Sequence, residues 1–155
     1  FTRDLHYEVE IVLKIAKNGR HVLPDFAASY YSAYCVGIDF TARDVQDRLK
    51  ANGHPWEIAK GFDHSAPISA LINFEDKTKP IHFGLKKNGE WVQRGNTADL
   101  LFSFDYLICY ISRYFKLQVG DFIFTGTPAG VGSVQIDDYL EAYIGDSKML
   151  TCAIK

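Results

Sequence analysis

From Leu5 to Ile15 the odd positions Leu5, Tyr7, Val9, Ile11, Leu13 and Ile15 are apolar, while His6, Glu8, Glu10 and Lys14 occupy even ones. A period of two is that of a strand with one buried face, so a strand is predicted over residues 5–15. Lys17-Asn18-Gly19-Arg20 tolerates the positive φ of a tight turn and predicts a hairpin whose second strand starts at His21. Pro24-Asp25 suits a helix start, so a short helix is predicted over residues 26–31. The apolar run 34–40 predicts a buried strand that carries Asp39. Residues 43–51 predict a polar helix stopped by Asn52-Gly53.

Residues 55–69 show no period and are read as irregular chain, with Lys60 in a loop. Asn88-Gly89 between the runs 81–87 and 90–94 is the strongest hairpin signal in the chain. Ser103 or Asp105 is placed to cap a helix reaching Phe115, with Leu107, Ile108, Ile111 and Phe115 on one face. Residues 119–125 predict a strand entering a glycine-rich turn, and 139–154 one or two more. Many strands and few helices without a βαβ rhythm predict an α+β fold around a rolled sheet, in one domain over residues 1–155.

Composition changes this picture little. The chain has 155 residues, 47% of them hydrophobic and 14% aromatic, as expected of a globular domain with a strand-rich interior. A net charge of -2 offers no basic stripe for phosphates, which argues against a nucleic-acid partner. No apolar run approaches the roughly 18 residues of a membrane-spanning helix, and the expectation is a cytoplasmic protein without a membrane partner. Cys35, Cys109 and Cys152 lack metal or redox spacing and are read as buried thiols.

Candidate chemistry rests on acids. Glu8 and Glu10, two apart on a strand, share a face, and like charges so close call for a cation, which hard divalent ions supply. A solvated face of an edge strand explains that spacing too, and from Glu-Val-Glu alone it is the preferred reading. Asp39 lies among apolar residues and needs a partner, for which Arg43, Lys60 and a metal are the candidates. Lys60 either snorkels into solvent or stands ready to stabilise an oxyanion. Thr125-Gly126-Thr127-Pro128-Ala129-Gly130-Val131-Gly132 is either a tight turn or a nest of N–H groups for a carboxylate, and it lacks the lysine of a nucleotide-binding P-loop.

These strings occur in one order: Leu5-His6-Tyr7-Glu8-Val9-Glu10, Gly37-Ile38-Asp39-Phe40-Thr41-Ala42-Arg43-Asp44-Val45-Gln46, Ala59-Lys60-Gly61-Phe62, Gly95-Asn96-Thr97 and the glycine-rich turn. In that order the chain resembles the catalytic C-terminal domain of the fumarylacetoacetate hydrolase family. The resemblance implies a mixed, mostly β roll, a homodimer, and Mg²⁺ or Mn²⁺ held by Glu8, Glu10 and Asp39. It implies that Lys60, Gln46, Arg43 and Thr127 line the pocket of a small 2-oxo acid, with Lys60 and Gln46 in catalytic roles.

The activity so implied is cleavage of the C–C bond of an acylpyruvate-type 2,4-dioxo acid by water, through an enolate stabilised by the metal. Decarboxylation of a 2-oxo diacid such as oxaloacetate, or isomerisation of 2-hydroxyhepta-2,4-diene-1,7-dioate, uses the same enolate. A catalytically inactive dimer module that keeps metal and ligand affinity is the alternative of another class. The family pattern also has an upstream Gly-x-Asn-Tyr segment with a following His and Glu that activate water. These residues are not found here, and His6, His21, His54, His64 and His82 match no family base, so the expectation is that the chain is a fragment.

Overall fold

A computed structural model describes residues 1–155. The alternation at the start of the chain is real, but it serves two strands. Strand β1 (Leu5–Tyr7) and strand β2 (Val9–Ile15) are separated by Glu8. Strand β3 (Tyr31–Ile38) runs antiparallel to β2, and β4 (Thr41–Ala42) antiparallel to β1. The remaining strands are β5 (Ile72–Asn73), β6 (His82–Lys87), β7 (Glu90–Asn96), β8 (Phe122–Phe124), β9 (Gly132–Ser133), β10 (Tyr139–Ile144) and β11 (Ser147–Ala153). Helices are α1 (Pro24–Ala27), α2 (Arg43–Ala51), α3 (Glu57–Lys60) and α4 (Phe104–Tyr114).

Three sheets result, ordered β4-β1-β9, β11-β10-β6-β7 and β5-β3-β2-β8. This mixed, mostly β architecture with short helices is the α+β roll that was expected. All odd residues from Tyr7 to Ile15 are buried. Val9 and Ile11 pack with Val36 and Ile38 against Phe83, Leu85, Leu140 and Ala142 of the β11-β10-β6-β7 sheet. Leu13 and Ile15 pack instead under α1 and α4, against Ala27, Ile108 and Cys109. Each such side chain removed from water contributes about 1.5–3 kcal/mol, so this strand is anchored along its whole length.

Several boundaries differ from expectation. No strand starts at His21: Gly19 bridges Leu117, His21 donates to Ser112, and β2 takes the distant β3 as its partner. The helix expected over 26–31 is α1 followed by a 3₁₀ turn at Ala28–Tyr30, after which Tyr31 already belongs to β3. Asp39 therefore lies one residue beyond the strand that was to carry it. Lys60 closes the four-residue helix α3 instead of lying in a loop. Phe115 follows the end of α4 in extended conformation and is exposed, and Cys152 is half-buried where a buried thiol was expected.

Other local signals stand. Helix α2 has the bounds its pattern predicts, with Gly53 at φ 64° after it. Asn88 and Gly89, both at positive φ, close the β6–β7 hairpin. Ser103 caps α4 by accepting a hydrogen bond from the Tyr106 N–H.

Candidate functional site

The β2–β3 register builds the site. Val9 stands opposite Ile38 and Glu10 opposite Gly37, so the same ladder carried one residue further sets Asp39 beside Glu8. The Asp39 N–H donates to the Glu8 carbonyl at 2.8 Å, which holds the two together where the strands part. Glu8 and Glu10 project to one side, and one oxygen from each of Glu8, Glu10 and Asp39 lies within 4.8 Å of the other two. The three predicted acids thus form one cluster.

Strand β8 pairs with only Val12, Leu13 and Lys14 of β2, leaving Val9 to Ile11 without a strand neighbour on that side. The glycine-rich turn fills the gap. Thr125 donates twice to the Ile11 carbonyl, from N–H at 3.2 Å and from its hydroxyl at 2.8 Å. Gly126 donates its N–H to Glu10 Oε2 at 2.6 Å, and Thr127 its hydroxyl to the Val9 carbonyl at 2.9 Å. Gly126 sits at φ +111°, a conformation that a residue with a Cβ rarely adopts, and glycine there lets the amide point at the carboxylate.

Two cations face the acids from the other side. Lys60 Nζ donates to Asp39 Oδ2 at 2.6 Å, to Thr41 Oγ1 at 2.7 Å and to Glu8 Oε2 at 3.0 Å. Arg43 bonds Glu8 Oε1 through Nη2 and Gln46 Oε1 through Nη1, the latter at 2.7 Å. Its Nε points at His6 Nδ1, 3.4 Å away. Helix α2 starts at Arg43, so Arg43 and Gln46 fall one turn apart on the same face. Buried Gln46 keeps an amide group that makes no hydrogen bond within the chain.

The carboxyls are not equivalent. Burial pushes Glu8 up, but the hydrogen bonds and charges of Arg43 and Lys60 outweigh it and hold Glu8 below its ordinary value. Glu10 is 5% exposed, and burial, together with the charges of Asp39 and Glu8, raises it to about 7 despite the Gly126 N–H. Asp39 is also raised, because burial exceeds the help it receives from Lys60. With all three ionised, three negative charges face two positive ones. The donor set is hard oxygen throughout, and the shortfall is one that a divalent cation removes, so these residues fit Mg²⁺ or Mn²⁺.

Thr127, with Thr125 and Gly126 of the same turn, lines a cavity of about 520 Å³ together with Asn96, Leu100 and Phe102. The three acids do not line that cavity. A second cavity of about 240 Å³, by Tyr31, Lys77 and Phe104, touches none of the predicted site residues. Sequence reasoning passed over Thr41 as a partner of Lys60, and of the N–H groups it offered to a carboxylate the Gly126 amide is taken by the chain's own Glu10. It also passed over Gln93, 2% exposed, which bonds Val9, Thr127 and Pro128. A glutamine among strand residues is an available signal, but a bulge beside it in β7 shifts the alternation and hides which way it faces.

Comparison with known proteins gives a consistent picture. The oxaloacetate tautomerase FAHD1, mitochondrial, of Rattus norvegicus is 42% identical over 146 residues, which cover 93% of this chain and 66% of that protein. The chain thus spans just under two thirds of that curated relative's length. The crystal structure of fumarylpyruvate hydrolase from Pseudomonas aeruginosa in complex with Mn²⁺ and pyruvate superposes with a TM-score of 0.92 at 36% identity, covering 99% of this chain and 66% of that one. A probable 2-hydroxyhepta-2,4-diene-1,7-dioate isomerase from Mycobacterium abscessus gives 0.89 at 27% identity, covering 99% and 61%. The model of the family described as fumarylacetoacetate (FAA) hydrolase C-terminal matches residues 1–154, and the chain belongs to that family.

Proposed function

We propose that this chain carries the metal and substrate site of an enzyme that acts on a small 2-oxo acid through its enolate. The observation that carries this reading is the convergence of Glu8, Glu10 and Asp39, oxygens within 4.8 Å, beneath the ammonium of Lys60. A divalent cation there supplies Lewis-acid stabilisation of negative charge developing on the 2-oxo oxygen. Lys60 adds a second positive charge beside that oxygen, fixed in place by Asp39 and Thr41. Arg43, braced by Glu8, presents positive charge to a substrate carboxylate, and the Gln46 amide offers it a neutral donor. The Thr127 hydroxyl has its proton committed to Val9, so Thr127 meets substrate as an acceptor or through its backbone N–H.

Among the family's reactions the first choice is enol–keto interconversion of an oxaloacetate-type 2-oxo diacid. The name of the 42%-identical relative supports it. Acylpyruvate hydrolysis, the sequence-based expectation, is the second reading, supported by the fumarylpyruvate hydrolase likeness at 36% identity. Both pass through the 2-enolate of a 2-oxo acid: in the first reading it is that of the intact diacid, which is reprotonated, and in the second it is that of pyruvate, expelled when water adds to the 4-oxo carbon and the C–C bond breaks. The test is to supply enol-oxaloacetate and an acylpyruvate separately with Mn²⁺. Loss of enol absorbance without C–C cleavage selects the first reading, pyruvate release from the acylpyruvate selects the second, and turnover of neither rejects both.

The partner in this reading is a second copy of the chain. Phe102, Tyr106, Tyr110 and Tyr114 form an exposed ridge along α4, ring centroids 4.8, 6.1 and 5.4 Å apart in succession. Aromatic ridges of this extent mark contact surfaces.

A further inference from the structure

We infer that Gln93 is the positioning residue that locks the metal-ligand strand to the glycine-rich turn, setting Glu10 and Thr127 with a single side chain. The inference rests on the metal site proposed above and concerns a residue to which the resemblance assigns no role. Gln93 sits on β7, in a different sheet from the acids, and is 2% exposed. Its Oε1 accepts the Val9 N–H at 2.9 Å. Its Nε2 donates to Thr127 Oγ1 at 2.9 Å and to the Pro128 carbonyl at 3.0 Å. Both N–H donors and the carbonyl oxygen of one amide are engaged by two segments that belong to the site.

Those contacts are placed where β2 has β3 on one side but no strand neighbour on the other. Val9 lies between Glu8 and Glu10, on the stretch of β2 that β8 does not reach. Val9 is therefore held by Gln93 at its N–H and by Thr127 at its carbonyl, and Thr127 is itself held by Gln93. The loop closes through Gly126, whose N–H bonds Glu10. An apolar residue at 93 would fill the space and leave the turn free to shift along the strand. Metal sites need their supporting hydrogen bonds because ligands must be held within about 0.5 Å of the working geometry, and loss of such a partner costs about 10- to 100-fold in metal affinity.

Two variants test this. Gln93→Met keeps length and removes every bond. Gln93→Glu keeps an acceptor for Val9 and sets an oxygen where the turn needs a donor. Amide hydrogen exchange is followed at Gly126 in the metal-free chain, with Ile108 and Cys109 in α4 as remote reporters, and Mn²⁺ affinity is measured by titration. The expected result in both variants is exchange at Gly126 faster by about 10-fold or more, unchanged protection in α4, and Mn²⁺ affinity lower by about 10-fold. Exchange at Gly126 and Mn²⁺ affinity equal to those of the unsubstituted chain would overturn the inference. Equal loss of protection at Gly126 and in α4 would overturn it too, by making Gln93 a support of the whole fold. If the unsubstituted chain binds no Mn²⁺, the metal reading fails, and the Gly126 exchange rate alone still decides the role of Gln93.

Discussion

The two sides of the site are built on very different foundations. Glu10 stands on β2, Glu8 just before it and Asp39 just after β3, and the inner faces of these strands belong to the largest core cluster, with Val9, Ile11, Val36 and Ile38 fully buried. The cations and Gln46 come from α2 and α3, held by a separate cluster of just Ala42, Val45 and Ala59, with Leu49 and Phe62 packed against it. Trp56 and Ile58, beside Lys60 in sequence, are exposed. The β2–β3 register, extended by the Asp39 N–H bond to the Glu8 carbonyl and backed by Gln93 and the glycine-rich turn, sets the backbone that carries the acids. The cations hang from a thin layer whose local opening costs little, as is usual for elements that meet a ligand. The site therefore joins a deeply packed anionic floor to a thinly packed cationic wall.

Breaking the floor has the largest expected effect. Asp39→Ala removes one of the three proposed ligands and leaves Lys60 with Glu8 and Thr41, so Mn²⁺ affinity measured by calorimetry should fall by at least about 10²-fold, beyond the loss seen for mere supporting residues. Breaking the wall should affect chemistry and leave metal binding intact. Lys60→Ala should reduce turnover by about 10²-fold, as loss of an oxyanion-stabilising donor does, while Mn²⁺ affinity holds or rises because a competing cation has gone.

The charge shortfall on the floor sets a pH dependence. Glu10 is raised to about 7 in the folded chain and is ordinary when unfolded, so between those values the folded state binds the extra proton. Stability of the metal-free chain is then highest below about pH 4.5 as far as Glu10 is concerned. It falls as pH rises towards and through about 7, by on the order of 3 kcal/mol. Saturating Mn²⁺ should abolish that fall, which melting curves across this range would record. The smallest effect is expected from Val45→Ala in the satellite cluster: about 1 kcal/mol of stability, with a disproportionate loss of turnover because Lys60 and Arg43 lose their backing. Equal losses in stability and turnover would erase the distinction between floor and wall.

Much of the floor was legible because its signals are local. Alternation placed Glu8 and Glu10 on one face, and the apolar surroundings of Asp39 demanded a partner. Their convergence depended on the β2–β3 register, which joins residues about thirty apart and leaves no local trace. The Asn18-Gly19 turn misled for the same reason, since a local hairpin signal competed with a better buried partner in β3. Lys60 was legible as a charged residue in an apolar setting but not as the end of a helix, because four residues are too few to show a period. Gln93 was silent, as its direction is set by a bulge and its partners lie in other parts of the chain.

The central claim is that Glu8, Glu10 and Asp39 hold a divalent cation against a 2-oxo acid. Thermal melting of this chain with and without millimolar Mn²⁺, and then with oxalate as a planar mimic of the enolate, tests it most directly. The account predicts a rise in Tm with Mn²⁺ and a further rise with oxalate that requires the metal, since only a ligand of the folded state raises its stability. No rise with Mn²⁺, or an oxalate effect indifferent to the metal, would contradict it.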